Sequence, residues 1–298
     1  MRIGIFDSGL GGLLVAKAIR KLMPEYDYVY LGDTKRVPYG NRSHEVVYEF
    51  TKEAVDYLFK KENCAIVILA CNTASARALR TIQQEYLPAC NSYAVSIAGR
   101  PKHYPDKKVL GVLIPTAEEC TGFEKIGVIG TKGTVASNSF VDEILKIKES
   151  NFAYAEKSTN YFPLTKIFQN SAPMLVPLAE EDEKSLAMPF LKKYLKPLLD
   201  KKIEALVLGC THYPIFKKEI KKILTCQNGG VGKKVKVLSQ DEIIPKKLKE
   251  YFKKHSEIEK NLSKNKTAKI LVTDITDSVK KLSIKWFGSD AKPELIHF

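Results

Sequence analysis

The sequence predicts an α/β fold made of two related units, and three observations carry that expectation. A short apolar run, Ala205-Leu206-Val207-Leu208, ends on Gly209 and passes straight into Cys210-Thr211-His212-Tyr213-Pro214. An earlier run over residues 65–69 ends the same way, on Ala70-Cys71-Asn72-Thr73-Ala74-Ser75. Residues 3–6 and 126–129 form a second matched pair, each a short β run followed by polar turn residues, glycine and a helical pattern. Runs of this length and composition read as buried parallel strands, and open parallel sheets gather ligands at the carboxyl ends of their strands. One thiol is therefore expected at an equivalent strand end in each unit.

Taken in order, Ile3-Gly4-Ile5-Phe6 is the first strand, and Asp7-Ser8-Gly9-Leu10-Gly11-Gly12 leads into a helix over Leu13, Leu14, Ala16, Ile19 and Leu22. The glycines allow close approach of backbone to a ligand, and the helix start behind them favours negative groups. Neither a P-loop nor a dinucleotide fingerprint fits the spacing. Asp7 and Ser8 stand where the strand ends, as candidates to hold an amine and a carboxylate. Residues 28–33 give the second strand, and the loop after it brings Pro38-Tyr39-Gly40-Asn41 to the same rim. Ser43 is an N-cap for a helix with Val46, Val47, Phe50, Ala54, Tyr57 and Leu58 on one face. The Cys71 strand follows, then a helix through Ala74, Ala78, Leu79 and Ile82.

Residues 99–108, including the isolated His103, read as a polar loop or linker. Residues 109–115 read as a strand, and residues 125–134 repeat the opening device with Thr131 and Thr134 in the turn. Residues 161–183 are Pro-rich and acidic, and residues 186–199 form an amphipathic helix broken by Pro189 and Pro197. Later strands are expected at 235–239 and 268–273, with helices at 243–252 and around Val279, Leu282 and Trp286. Residues 255–266 are polar, a loop or frayed helix. The domains are drawn at residues 1–95 plus 236–298, holding the first thiol, and 96–235, holding the second. The tail after 235 is expected to pack on the first, because it adds strands without adding a polar turn.

Composition bounds the chemistry. No apolar run approaches the roughly 20 residues of a membrane-spanning helix, so a soluble cytoplasmic protein with no membrane partner is expected. The six cysteines show no CxxC pair and no tight metal spacing, which fits reduced thiols better than disulfides or a zinc site. Cys64, Cys90, Cys120 and Cys226 read as packing residues. The formal charge of +14 invites a nucleic-acid reading, but only seven of the 48 basic residues are arginine and none follows Arg100. Base and phosphate readout leans on arginine, so the lysines read as a solvated surface with no specific nucleic-acid partner.

A cysteine beside a histidine suggests a nucleophile, as in proteases and acyl transferases. Two cysteines on equivalent strand ends suggest acid–base work instead. If the units face one another across a cleft, one thiol can take a proton from a carbon and the other can return one to the opposite face, inverting the centre. Thiols suit the task because their pKa is easily brought near neutrality. Asp7 and His212 are placed to assist the two thiols separately.

Phe6-Asp7-Ser8-Gly9-Leu10-Gly11-Gly12, Gly32-Asp33-Thr34 through Pro38-Tyr39-Gly40, Ala70-Cys71-Asn72-Thr73-Ala74-Ser75, Ile129-Gly130-Thr131 and Gly209-Cys210-Thr211-His212-Tyr213-Pro214 together resemble the glutamate racemases of the aspartate/glutamate racemase family. The resemblance spans about residues 1–290. It implies two pseudosymmetric three-layer α/β domains with parallel sheets and the active site in the cleft between them. It also implies cofactor-independent interconversion of L- and D-glutamate, supplying D-glutamate for peptidoglycan, with no metal and with a homodimer as the expected assembly. By the same resemblance Cys71 and Cys210 are the acid/base thiols, with Cys71 acting on D-glutamate and Cys210 on L-glutamate, while Asp7 and His212 assist. Asp7, Ser8 and His212 contact substrate, Tyr39 and Gly40 the side-chain carboxylate, Asn72, Thr73 and Thr211 the amino-acid end, with Thr131 and Thr134 as further contacts. The segments 91–108 and 227–234 depart from the family pattern. An aspartate or hydantoin racemase shares the two-thiol logic, but the Asp-Ser-Gly-x-Gly-Gly turn with Gly-Cys-Thr-His favours glutamate. A binding protein with a basic surface and a dead site is the rival from another class, and the presence of every polar site residue argues against it.

Overall fold

A computed structural model describes residues 1–86, 107–154, 165–226 and 234–298. His103, Cys90 and most of the two departing segments lie outside the described residues. The chain divides into two compact units, Met1–Gly111 with Pro245–Phe298, and Val112–Ile244.

The first unit is a parallel sheet of β1 (Arg2–Asp7), β2 (Tyr28–Gly32), β3 (Cys64–Leu69) and β4 (Lys108–Gly111) in the order β2-β1-β3-β4. The second unit is a parallel sheet of β5 (Lys125–Gly130), β6 (Lys166–Ser171), β7 (Ala205–Gly209) and β8 (Lys236–Ser239) in the order β6-β5-β7-β8. The order is the same in both, which makes the symmetry read from the sequence a symmetry of topology: β1 corresponds to β5 and β3 to β7. Two more strands, β9 (Ala268–Val272) and β10 (Pro293–Leu295), extend the first sheet beyond β2. All strand pairs among the described residues are parallel, so every crossover between them needs a helix or long connection. Strands β2, β3 and β7 are buried along their whole length, as expected where helices cover both faces.

In this strand order the chain leaves β1 toward one side and β3 toward the other. The crevice at the carboxyl ends of β1 and β3 is therefore the topological switch point of the first sheet, and that of β5 and β7 is the switch point of the second. Register brings the paired ends level: Phe6 pairs with Leu69, and Gly130 with Gly209.

Several expectations are corrected. The strand at 236–239, grouped with the first domain by sequence, pairs with β7 in the second sheet, whereas β9 and β10 do join the first. The run over 109–115 is a strand only to Gly111, and Leu113–Glu118 is helical. The helix Ala187–Leu199 runs unbroken through both prolines. Pro189 is its third residue, where the N–H has no partner within the helix anyway. Pro197 sits near the far end, where burial of Ala187, Leu191, Leu195 and Leu198 along one face outweighs a lost backbone bond. The helix after Cys71 is two, Asn72–Arg77 and Leu79–Tyr86. Ser43 caps His44–Lys60 as expected, accepting from the Val46 N–H at 3.3 Å.

Candidate active site

In the first unit β1 delivers Asp7, fully buried, to the switch point. Its backbone carbonyl accepts from the Asp33 N–H at 3.1 Å, and on the other side the Ala70 N–H donates to the Phe6 carbonyl at 2.8 Å. The Asp7 Oδ2 accepts from the Gly9 N–H at 3.0 Å, which folds the turn back over the carboxylate. Gly12 is what permits this packing: a Cβ there would stand 2.6 Å from the Asp7 Cβ and 3.2 Å from the Ala70 Cβ. The glycine is needed for close approach, since its backbone is right-handed.

Cys71 follows β3 as the N-cap of the helix Asn72–Arg77, with its Sγ 3.5 Å from the Ala74 N–H it accepts and 3.3 Å from the Ser8 Oγ. The first unit thus brings Cys71 and Ser8 into direct contact, with Asp7 on the adjoining strand. Asn72 and Thr73 are buried in the first turn of that helix. Tyr39 and Gly40 lie in one 3-10 turn, Tyr39–Asn41. The Tyr39 hydroxyl donates to the Asp33 Oδ2 at 2.5 Å, and burial together with that carboxylate pushes the phenol pKa far up. A phenol held this way keeps its proton and directs it at the Asp33 carboxylate, so the turn offers its backbone rather than a free hydroxyl.

The second unit repeats the arrangement with different assisting groups. Gly209 ends β7 with ordinary backbone geometry, and its missing Cβ spares a 2.9 Å approach to the Ile129 carbonyl. It is therefore a close-packing glycine. Cys210 follows, almost fully buried, and its Sγ lies 3.8 Å from the His212 Nδ1. The other ring nitrogen, Nε2, lies 3.0 Å from the Glu180 Oε1. Burial alone would lower the imidazole pKa, but hydrogen bonds to Cys210 and Glu180 outweigh it and push it up to about 10. Both neighbours favour the protonated imidazole, which places a proton-holding group beside the sulfur. Tyr213 anchors the turn, its hydroxyl donating to the Ala172 carbonyl at 2.8 Å. Thr131 caps the helix Lys132–Ala136, its Oγ1 3.1 Å from that of buried Thr134. Thr211 is buried beside Cys210.

Cys64 and Cys120 are buried, and burial pushes each thiol up to about 12, so both are packing residues as expected. Two further residues belong to the site and were not singled out by sequence. Glu180 ends the helix Leu175–Glu180 after β6. Asp33, fully buried, accepts from Tyr39, Arg36 and Thr273. Glu180 lay inside a stretch noted only as acidic, and Asp33 was quoted only as part of a motif.

Two parallel sheets of the same strand order, each followed at its third strand by a buried thiol, define an α/β protein with one cysteine at the switch point of each sheet. The family model described as Asp/Glu/Hydantoin racemase matches residues 14–239. A glutamate racemase of Sulfurihydrogenibium sp. is 34% identical over 99% of this chain and 97% of its own, and one of Persephonella marina is 36% identical over 97% and 95%. Among solved structures, a glutamate racemase of Francisella tularensis in complex with D-glutamate superposes with a TM-score of 0.78 at 28% identity, covering 99% of this chain and 97% of its own. The chain belongs to the Asp/Glu/hydantoin racemase family.

Proposed function

We propose that this protein is a glutamate racemase that interconverts L- and D-glutamate without a cofactor. The observation that carries the reading is the pair of thiols, Cys71 and Cys210, on equivalent strand ends of two sheets with the same strand order. In the proposed reaction one thiolate removes the α-proton from one face and the other thiol delivers a proton to the opposite face. His212, charged and held by Glu180, supplies and accepts the proton of Cys210. On the first side, Asp7 and Ser8 serve Cys71. The Tyr39 and Gly40 turn takes the distal carboxylate, and Asn72, Thr73, Thr131, Thr134 and Thr211 surround the amino-acid end. The Asp-Ser-Gly-x-Gly-Gly and Gly-Cys-Thr-His sequences support glutamate over aspartate or a hydantoin, as do the names of the relatives at 34% and 36% identity.

D-glutamate for peptidoglycan is the corresponding product, which sets the expected place in the cytoplasm. No helix among the described residues is long and apolar enough to cross a membrane. A homodimer without a specific nucleic-acid partner completes the reading. The test is circular dichroism of L-glutamate incubated with the purified protein and no added cofactor. Decay of the signal to zero supports the proposal, and an unchanged signal with glutamate but decay with aspartate transfers it to the sister substrate.

A further inference from the structure

A line of contacts in the first unit runs from the substrate-facing turn to Phe298, three residues beyond β10. The Tyr39 hydroxyl is held by Asp33, and the same Asp33 oxygen accepts from the Arg36 Nε at 2.6 Å. The other Asp33 oxygen accepts from the Thr273 hydroxyl at 2.8 Å. Arg36 Nη1 donates to Glu53 at 2.5 Å, whereas Arg36 Nη2 is buried with no hydrogen-bond partner among the described residues. Two aromatic rings flank the guanidinium, which is still partly exposed: its carbon lies 4.0 Å from the centre of the Phe50 ring and 4.7 Å from that of Phe298. Phe50 in turn packs on Tyr39, ring centres 5.7 Å apart, and Phe298 meets the edge of Tyr57 at 5.9 Å. Strand β10 brings Phe298 there, since the Ile296 N–H donates to the Val272 carbonyl at 2.9 Å.

The two rings shield the unpaired, buried nitrogen of Arg36 from water while Asp33 and Glu53 hold the other two. Open one ring face, and water can hydrate that nitrogen and draw the side chain outward, loosening its hold on Asp33. Asp33 fixes Tyr39, and Tyr39 with Gly40 forms the turn assigned above to the distal carboxylate. We infer that Phe298 is a positioning residue for substrate binding: through Arg36 and Asp33 it sets the Tyr39–Gly40 turn, and so it governs affinity for the substrate's side-chain carboxylate without touching the thiol chemistry. The inference rests on the racemase reading.

Steady-state racemisation of glutamate by the wild type, Phe298→Leu and Phe298→Trp tests it. Leucine keeps apolar bulk but has no π face, and tryptophan keeps the face. Phe298→Leu should raise KM for glutamate about 5-fold, the worth of one partly exposed cation–π contact, with kcat within about two-fold of wild type. Phe298→Trp should restore KM. In an Arg36→Met background, Phe298→Leu should produce no further rise, because the cation that couples the ring to Asp33 is gone. A Phe298→Leu protein with wild-type KM, or one in which KM and kcat fall together and tryptophan does not rescue, overturns the inference. A wild-type protein that leaves L-glutamate optically unchanged overturns the racemase reading, and the inference with it. Loss of the inference alone requires an active wild type.

Discussion

His212 Nε2 lies 3.0 Å from the Glu180 Oε1, and this contact gives the second thiol a charged neighbour. Glu180→Gln keeps the size and a hydrogen-bonding group but removes the charge. The His212 pKa should then fall from about 10 by roughly one unit or more. Nuclear magnetic resonance titration of the imidazole reads this directly. Proton transfer at Cys210 should slow by about 10²-fold while exchange initiated at Cys71 changes less. An unshifted imidazole would show that Glu180 does not set its charge.

The same imidazole makes stability depend on pH. Its folded pKa, about 10, lies above the unfolded value of 6.5. A raised pKa contributes stability that is complete below the unfolded value and is lost as pH rises through the folded one. Denaturant unfolding between pH 6.5 and 10 should show wild-type stability declining relative to His212→Asn, so that the difference between them shrinks toward high pH. A difference that stays constant across that window would contradict the assignment.

Gly12→Ala tests how tightly the first turn is built. The added methyl would stand 2.6 Å from the Asp7 Cβ, with Ala70 behind it. Overpacking of this kind costs about 1–3 kcal/mol, and here the atom that gives way belongs to Asp7. Denaturant midpoint and kcat should both fall. Retained activity with wild-type stability would mean that the turn has room the geometry denies.

Thiol reagents separate working from packing cysteines. Burial pushes the Cys64 and Cys120 thiols well above their ordinary range, so neither should be alkylated at neutral pH. Inactivation by iodoacetamide should track modification of Cys71 or Cys210 by mass spectrometry, and glutamate should protect both. Activity should also survive without pyridoxal phosphate, because the thiols supply the proton chemistry. Visible aldimine absorbance, with activity lost on its removal, would contradict that.

The parts legible in the sequence were those where a buried strand runs into a polar turn, because fully apolar runs such as residues 65–69 and 205–208 announce both the strand and its end. Cys71 and His212 are legible that way, and the Ser43 cap from the helical periodicity that follows it. What escaped lacks such a signal. Strand β6, Lys-Ile-Phe-Gln-Asn-Ser, is a half-exposed edge strand with no apolar run, and the helix carrying Glu180 has a proline inside it. Strand β8 was assigned to the wrong sheet because a four-residue strand carries no mark of its partner. The role of Asp33 depends on Thr273, Arg36 and Phe298, contacts that join distant parts of the chain. Spacing within a motif cannot reveal them.

In the proposed reaction Cys71 and Cys210 work on opposite faces of one carbon. Replacing either by serine keeps the size but leaves a group far too weak an acid to be a base near neutrality, so each mutant should lose one direction of proton removal. The deciding measurement is α-proton exchange in deuterated water, for Cys71→Ser and Cys210→Ser, starting from each enantiomer of glutamate. The two mutants should show opposite preferences: Cys71→Ser should still exchange L-glutamate and fail on D-glutamate, and Cys210→Ser the reverse, with racemisation abolished or nearly so in both. Full racemisation by either mutant, or loss of the same enantiomer in both, would contradict it.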